Sequence, residues 1–122
     1  MLSRSRKGAG LAAEDHASAY LEKLGWQIVE RNWRCRSGEI DLVARDQGTL
    51  VFVEVRSRTS PSRFGTAIEA VTPRKCQKVR ETAGVYLRLN RLDGMPVRFD
   101  AVAVTFAKDG TVQELKHIPN AF

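Results

Sequence analysis

The sequence predicts an α/β fold, a single domain with a central mixed β-sheet flanked by α-helices. Three observations predict it. Apolar side chains recur at helical spacing over 11–24 and 73–90. Two alternating strand-like runs meet at Gln47-Gly48. Two more strand-like runs follow the second helical segment. With 122 residues, 43% of them hydrophobic, the chain can build one buried core but not two.

The first ten residues, MLSRSRKGAG, are small, basic and glycine-containing, so 1–10 is expected to be a flexible basic N-terminus ahead of a domain spanning 11–122. In the first helical segment, Ala13, Ala17, Tyr20, Leu21 and Leu24 share a stripe that Gly25 closes. At about 100° per residue, Glu14 lies within about 20° of Leu21, while Asp15 and Glu22 point away. Glu14 is therefore the acid of this helix expected to face inward.

WQIVERNW then alternates as a half-buried strand does, with Trp26, Ile28 and Val29 as its core contacts. Arg31, Arg34 and Arg36 crowd the turn that follows. EIDLVARDQGTLVFVEVRSR reads as a hairpin. Residues 59–72, with Pro61 and Gly65, read as a loop, Thr72 as an N-cap and Pro73 as the first helical position. The second helix puts Cys76, Val79, Ala83, Tyr86 and Leu87 on one face. Its Arg74, Lys75, Lys78 and Arg88 lie largely elsewhere. Strands are expected at 97–106 and, after Asp109-Gly110, at 112–118.

Lys and Arg number 20 against 14 Asp and Glu, a net charge of +6 that favours a polyanionic partner, nucleic acid before an acidic membrane surface. Most of the cations are Arg, whose planar fork suits bidentate contact with phosphate. Cys35 and Cys76 have no second Cys or His at metal-ligand spacing, so no zinc site or disulfide framework is signalled. No run approaches the roughly 20 apolar residues of a membrane helix, and no signal-peptide core follows the basic start. The expected location is the cytoplasm, without membrane association.

A two-residue turn at Gln47-Gly48 sets Asp46 against Thr49, and the register then pairs 43 with 52, 41 with 54 and 39 with 56. Alternation puts Glu39, Asp41, Val43, Phe52, Glu54 and Arg56 on one face. Ile40, Leu42, Val51, Val53 and Val55 line the other, which is expected to be the core. Like charges directly opposite one another destabilise a sheet unless compensated. The compensator of Asp41 and Glu54 is either an ion-pair network through Arg56 or a hard divalent cation, Mg²⁺ or Mn²⁺, which favours carboxylate and carbonyl oxygens. Arg56 supplies permanent positive charge and cannot act as a general base.

Some residues are expected to be structural or superficial. Glu39 is expected to pair with Arg56, and His16 and His117 to lie at the surface. Asp100, inside an apolar strand, is either a buried partner for an arginine, the favoured role, or an accessory to the site, and Trp26 and Trp33 should pack at the core or its rim. For Arg58, phosphate contact and a surface ion pair are both open.

An Asp at the end of one strand followed by Glu-x-Lys on the next is the pattern of the PD-(D/E)XK, restriction-endonuclease-like superfamily. Asp41 and Glu54-Val55-Arg56 resemble it. The wider string of GEIDLVARD, LVFVEVRSR, Phe64-Gly65, RFDAVAV and HIPNAF resembles the YraN family of small bacterial proteins from Gly10 to Phe122. That resemblance implies a nuclease-like fold akin to archaeal Holliday-junction resolvases. It implies a metal site of Glu14, Asp41, Glu54 and the Val55 carbonyl, with Arg56 at the superfamily's lysine position. It also makes a homodimer possible, because cutting both strands of a symmetric junction needs two sites. The basic excess, read from charge and placement, makes Arg34, Arg36, Arg58, Arg74, Lys75 and Lys78 the expected nucleic-acid-binding residues.

Three function classes follow. One is a metal-dependent endonuclease acting on structured or branched DNA. The second is a nucleic-acid-binding module of nuclease fold with little or no catalysis, because Arg56 keeps the charge of lysine but cannot shuttle a proton. The third is a partner-binding domain.

Overall fold

In a computed structural model the protein is described over residues 9–59 and 72–122. Residues 1–8 of the expected basic segment 1–10 and residues 60–71 of the expected loop 59–72 lie outside the described residues. Along the chain run α1 (Ala9–Lys23), β1 (Gln27–Cys35), β2 (Gly38–Asp46), β3 (Thr49–Thr59), α2 (Pro73–Leu89), β4 (Val97–Phe106) and β5 (Val112–Ile118). The expected element order is the observed one. The first helix begins two residues before the expected boundary at 11.

The five strands form one sheet in the order β1-β2-β3-β4-β5. All neighbours are antiparallel except β3 and β4, which run parallel from Leu50↔Val97 to Thr59↔Phe106. Parallel strands need a long crossover, and α2 lies within it. Thr72 caps α2 by accepting from the Lys75 N–H at 3.2 Å, and Pro73 occupies its first turn, where no amide partner is needed.

The helices cover opposite faces of the sheet. Ala13, Ala17 and Leu21 of α1 pack on Leu42, Val51, Val53, Val55, Val102 and Val104. Val79, Ala83 and Tyr86 of α2 pack on Ile40, Val43, Leu50 and Phe52. This corrects the expectation that the face of Ile40, Leu42, Val51, Val53 and Val55 alone is core while the other carries the charged cluster. Val43 and Phe52 are fully buried beneath α2. Phe52 stacks on Phe99 at 5.5 Å between centroids and meets Tyr86 edge-on at 5.8 Å. The tryptophans pack as expected, Trp26 against the α1 cluster and Trp33 against Tyr86 at 5.1 Å. Leu24 and Val29 do not: both are exposed, Val29 beside a register shift in β1 between Ile28 and Glu30.

Asp100, fully buried on β4, organises the end of the chain. Arg98 grips it with two bonds of 2.9 and 3.0 Å, His117 Nε2 lies 2.8 Å away, and the Asn120 N–H donates at 3.1 Å. The expected buried arginine partner is thus Arg98, whose guanidinium also lies over Trp26 at 5.1 Å. His117 departs from expectation: its side chain is only 9% exposed, held between Asp100 and the Tyr20 hydroxyl. Burial raises the Asp100 carboxyl pKa, but the hydrogen bonds from Arg98, His117 and Asn120 outweigh it and hold the group below its ordinary value of 3.8.

Two outcomes are expected. Phe52→Ala, which opens a cavity among aromatic rings, should cost about 3–5 kcal/mol in urea unfolding; a loss below 1 kcal/mol would contradict the packing described. A depressed carboxyl pKa contributes stability above pH 3.8 that is lost as pH falls through the folded value. Asp100→Asn should therefore lose on the order of 2 kcal/mol at pH 7 and show a shallower acid limb than wild type. Parallel pH–stability curves for the two proteins would refute this.

Candidate functional site

The hairpin has the register expected of a two-residue turn, from Asp46↔Thr49 through Val43↔Phe52 to Leu42↔Val53. Beyond that point regular pairing gives way to a side-chain contact. The Val55 N–H, buried, donates to Asp41 Oδ2 at 2.8 Å. The expected pairing of Asp41 with Glu54 is not among the observed ladder pairs, which end at Leu42↔Val53; an Asp41 carboxylate oxygen instead accepts from the backbone of β3 next to Glu54.

The cause lies one strand away. Arg31↔Leu42 and Trp33↔Ile40 bracket Asn32, so Asn32 faces Asp41. Its φ of +53° is left-handed, a conformation that asparagine tolerates better than most residues. Both strands change face here. On β2, Ile40 packs beneath α2 and Leu42 beneath α1. On β1, Arg31 reaches Asp15 and Glu14 of α1, whereas Trp33, two positions on, packs on the α2 side. Ile40 is thus not on the face of Leu42, as uninterrupted alternation predicts.

Three acids are buried around this slip: Glu14 at 0%, Asp41 at 6% and Glu54 at 7% exposure. Glu14 faces inward, as its helical phase predicts, and accepts from Asn32 Nδ2 at 3.0 Å. Arg31 bridges exposed Asp15 at 2.7 Å and stands 4.0 Å from Glu14. Glu54 meets Arg56 at 3.4 Å. Val53 and Val55 pack beneath α1, so alternation turns Glu54 and Arg56 to the other side of β3. Asp41 lies between the two sides, where β2 changes face. Among the described residues, no group of three or more His, Cys, Asp or Glu side chains is arranged to hold a metal ion.

The ion pair of Glu39 is with Arg34, its partner across the β1–β2 ladder, at 3.4 Å. It was expected with Arg56, but register puts the β1 cation closer. Sequence reasoning missed Asn32. The available signal was an asparagine between Arg31 and Trp33, a turn-favouring residue inside a strand-like run.

The predicted cations are distributed unevenly. Arg36, Arg74, Lys75 and Lys78 are exposed, Arg34 is mostly so, and Arg58 is half-buried. Arg74, Lys75 and Lys78 line a shallow groove on the outer side of α2, together with Gln77 and Glu81. The β1–β2 turn leans on that helix at Gly38. There φ is +153° and an added Cβ would come within 3.0 Å of Thr82 Oγ1 and 3.6 Å of Lys78 Cγ. Glycine at this position lets the arginine-bearing turn approach the lysine-bearing helix.

No helix among the described residues is long and apolar enough to cross a membrane. A family profile described as "Uncharacterised protein family UPF0102" matches residues 13–104. Relatives described as UPF0102 proteins align over nearly their whole length. That of Pelotomaculum thermopropionicum is 45% identical over 121 residues, covering 99% of this chain and 100% of the relative. Those of Desulforamulus reducens and Geobacter metallireducens are 44% and 43% identical, covering 98% and 99% of this chain and 99% and 97% of the relatives. The match thus takes in α1, the slipped hairpin and most of β4, and the chain belongs to the UPF0102 family.

Proposed function

We propose that this protein is a metal-dependent endonuclease of the restriction-endonuclease-like superfamily, hydrolysing phosphodiesters in structured or branched DNA in the cytoplasm. One observation carries the reading: three carboxylates, those of Glu14, Asp41 and Glu54, are buried on the elements that meet where β2 changes face, and Asp41 is held there by the Val55 N–H. Burying carboxylates costs several kcal/mol each, and apolar residues would stabilise the same positions at least as well. The mixed sheet with a helix on each face is compatible with that superfamily.

The donor set is all oxygen: the carboxylates of Glu14, Asp41 and Glu54 and the carbonyl of Val55. Hard cations such as Mg²⁺ and Mn²⁺ favour such donors over soft ones. A bound cation of this kind supplies Lewis acidity, drawing negative charge from a phosphodiester and making water more acidic. The chain's own residues supply the rest. Asp41 and Glu54 hold negative charge in place, and Arg56, 3.4 Å from Glu54, offers a fixed positive charge to the phosphate. Arg34, Arg36, Arg74, Lys75 and Lys78 form the surface on which a phosphate backbone would rest, with Arg58 nearer the sheet. A homodimer would give two sites for two strands.

A second reading, a nucleic-acid-binding module with little catalysis, is favoured by the Arg56–Glu54 ion pair, which occupies one of the acids with a residue that cannot exchange a proton.

Purified protein is expected to cut labelled flapped or four-way DNA with Mg²⁺ or Mn²⁺, and Asp41→Ala to lower the rate at least about 100-fold, the scale of losing a principal charge-stabilising group. Wild-type cleavage no faster than that of the variant would overturn the endonuclease reading. Under either reading, replacing Arg74, Lys75 and Lys78 by Ala should weaken DNA binding and reduce the slope of log K against log salt by about 2.7, some 0.9 per lost phosphate contact. An unchanged slope in fluorescence anisotropy would remove α2 from the interface.

A further inference from the structure

The residue facing Asp41 has a side chain whose chemistry the proposed site does not yet use. Asn32 Nδ2 donates to Glu14 Oε1 at 3.0 Å. A carboxylate only accepts, so this contact fixes which end of the amide is which. The other end, Oδ1, is buried and has no hydrogen-bond partner among the described residues. A buried carbonyl oxygen without a donor is costly, and native proteins rarely keep one without a reason. The backbone adds a second cost, since Asn32 adopts φ +53° within a strand.

Both costs fall between the two acids on this side of the site: Glu14, which the amide touches, and Asp41, which it faces. An amide carbonyl is the neutral oxygen donor that hard divalent cations accept beside carboxylates. We propose that Asn32 Oδ1 is a further oxygen donor of the cation site, to the ion directly or through one water, with Glu14 holding the amide in place. This rests on the metal-binding reading above. It assigns to β1 a part in a site otherwise built from α1, β2 and β3. It also gives the left-handed residue a role: the turn of φ that makes both strands change face carries the amide to the acids.

The test is Mn²⁺ titration of the nucleic-acid-free full chain by isothermal calorimetry, with thermal unfolding ± Mn²⁺ alongside. Asn32→Gly removes the amide while accommodating the left-handed backbone. Asn32→Asp keeps an oxygen at the same position. Asn32→Gly is expected to bind Mn²⁺ about 10- to 100-fold more weakly than wild type, the range typical of residues that orient or complete a metal site. Asn32→Asp should bind at least as tightly as wild type, with Mn²⁺ raising its melting temperature at least as much. If wild type and Glu14→Gln differ in affinity but Asn32→Gly matches wild type, the assignment of Asn32 is overturned while the metal site stands. If wild type binds no Mn²⁺, the metal-binding reading fails and the assignment with it. Should Asn32→Gly not fold, the Asn32→Asp titration decides: affinity below wild type refutes a donor at this position.

Discussion

The hydrogen bond from the Val55 N–H to the Asp41 carboxylate is the contact around which the candidate site is arranged. In a regular ladder that amide would meet a backbone carbonyl. Here it meets a charged oxygen, and a hydrogen bond to a charged group contributes about 1.5–3 kcal/mol, more than a neutral one. That gain offsets part of the cost of burying the acid. It also holds the Asp41 carboxylate against the β3 backbone at Val55.

That contact could not form in a strand pair of uniform pleat. Asn32 rotates β1 out of phase, Ile40 and Leu42 fall on opposite sides of the sheet, and Asp41 is left at the crossing point. The two helices then matter for different reasons. α1 delivers Glu14 to the slip on the same stripe as Ala17 and Leu21, so the acid is buried because its neighbours are. α2 buries Val43 and Phe52 and leaves Arg74, Lys75 and Lys78 outside. One element thus shields acids within the fold, and the other sets cations at its surface.

How much of this was legible follows from how local each cause is. The hairpin register was readable because a two-residue turn fixes every pair after it, from Asp46↔Thr49 to Leu42↔Val53. The burial of Glu14 was readable from helical phase, and the cap at Thr72 from three adjacent residues. The second covered face was not taken from the pattern, although the unbroken apolar run Leu50–Val53 is what a strand buried on both sides looks like. Asn32 escaped because a positive φ leaves no periodic trace. His117 escaped because its partner Asp100 belongs to the adjacent strand β4 and their meeting depends on the β4–β5 register.

The same reasoning bears on Arg56. A guanidinium at this position has two demands on it: neutralising Glu54 within the protein, and meeting negative charge from outside. Its contact with Glu54 at 3.4 Å meets the first, and its side chain, 22% exposed, still reaches solvent for the second. Its buried Nε has no hydrogen-bond partner among the described residues. Arginine offers five donors where lysine offers three, so one contact to a carboxylate does not exhaust it. A phosphate arriving beside Glu54 would find donor capacity already oriented. It would also find a charge that cannot leave as a proton. Under the proposed endonuclease reading, arginine here suits holding a phosphate better than moving a proton, which would leave proton transfer to water or to the carboxylates.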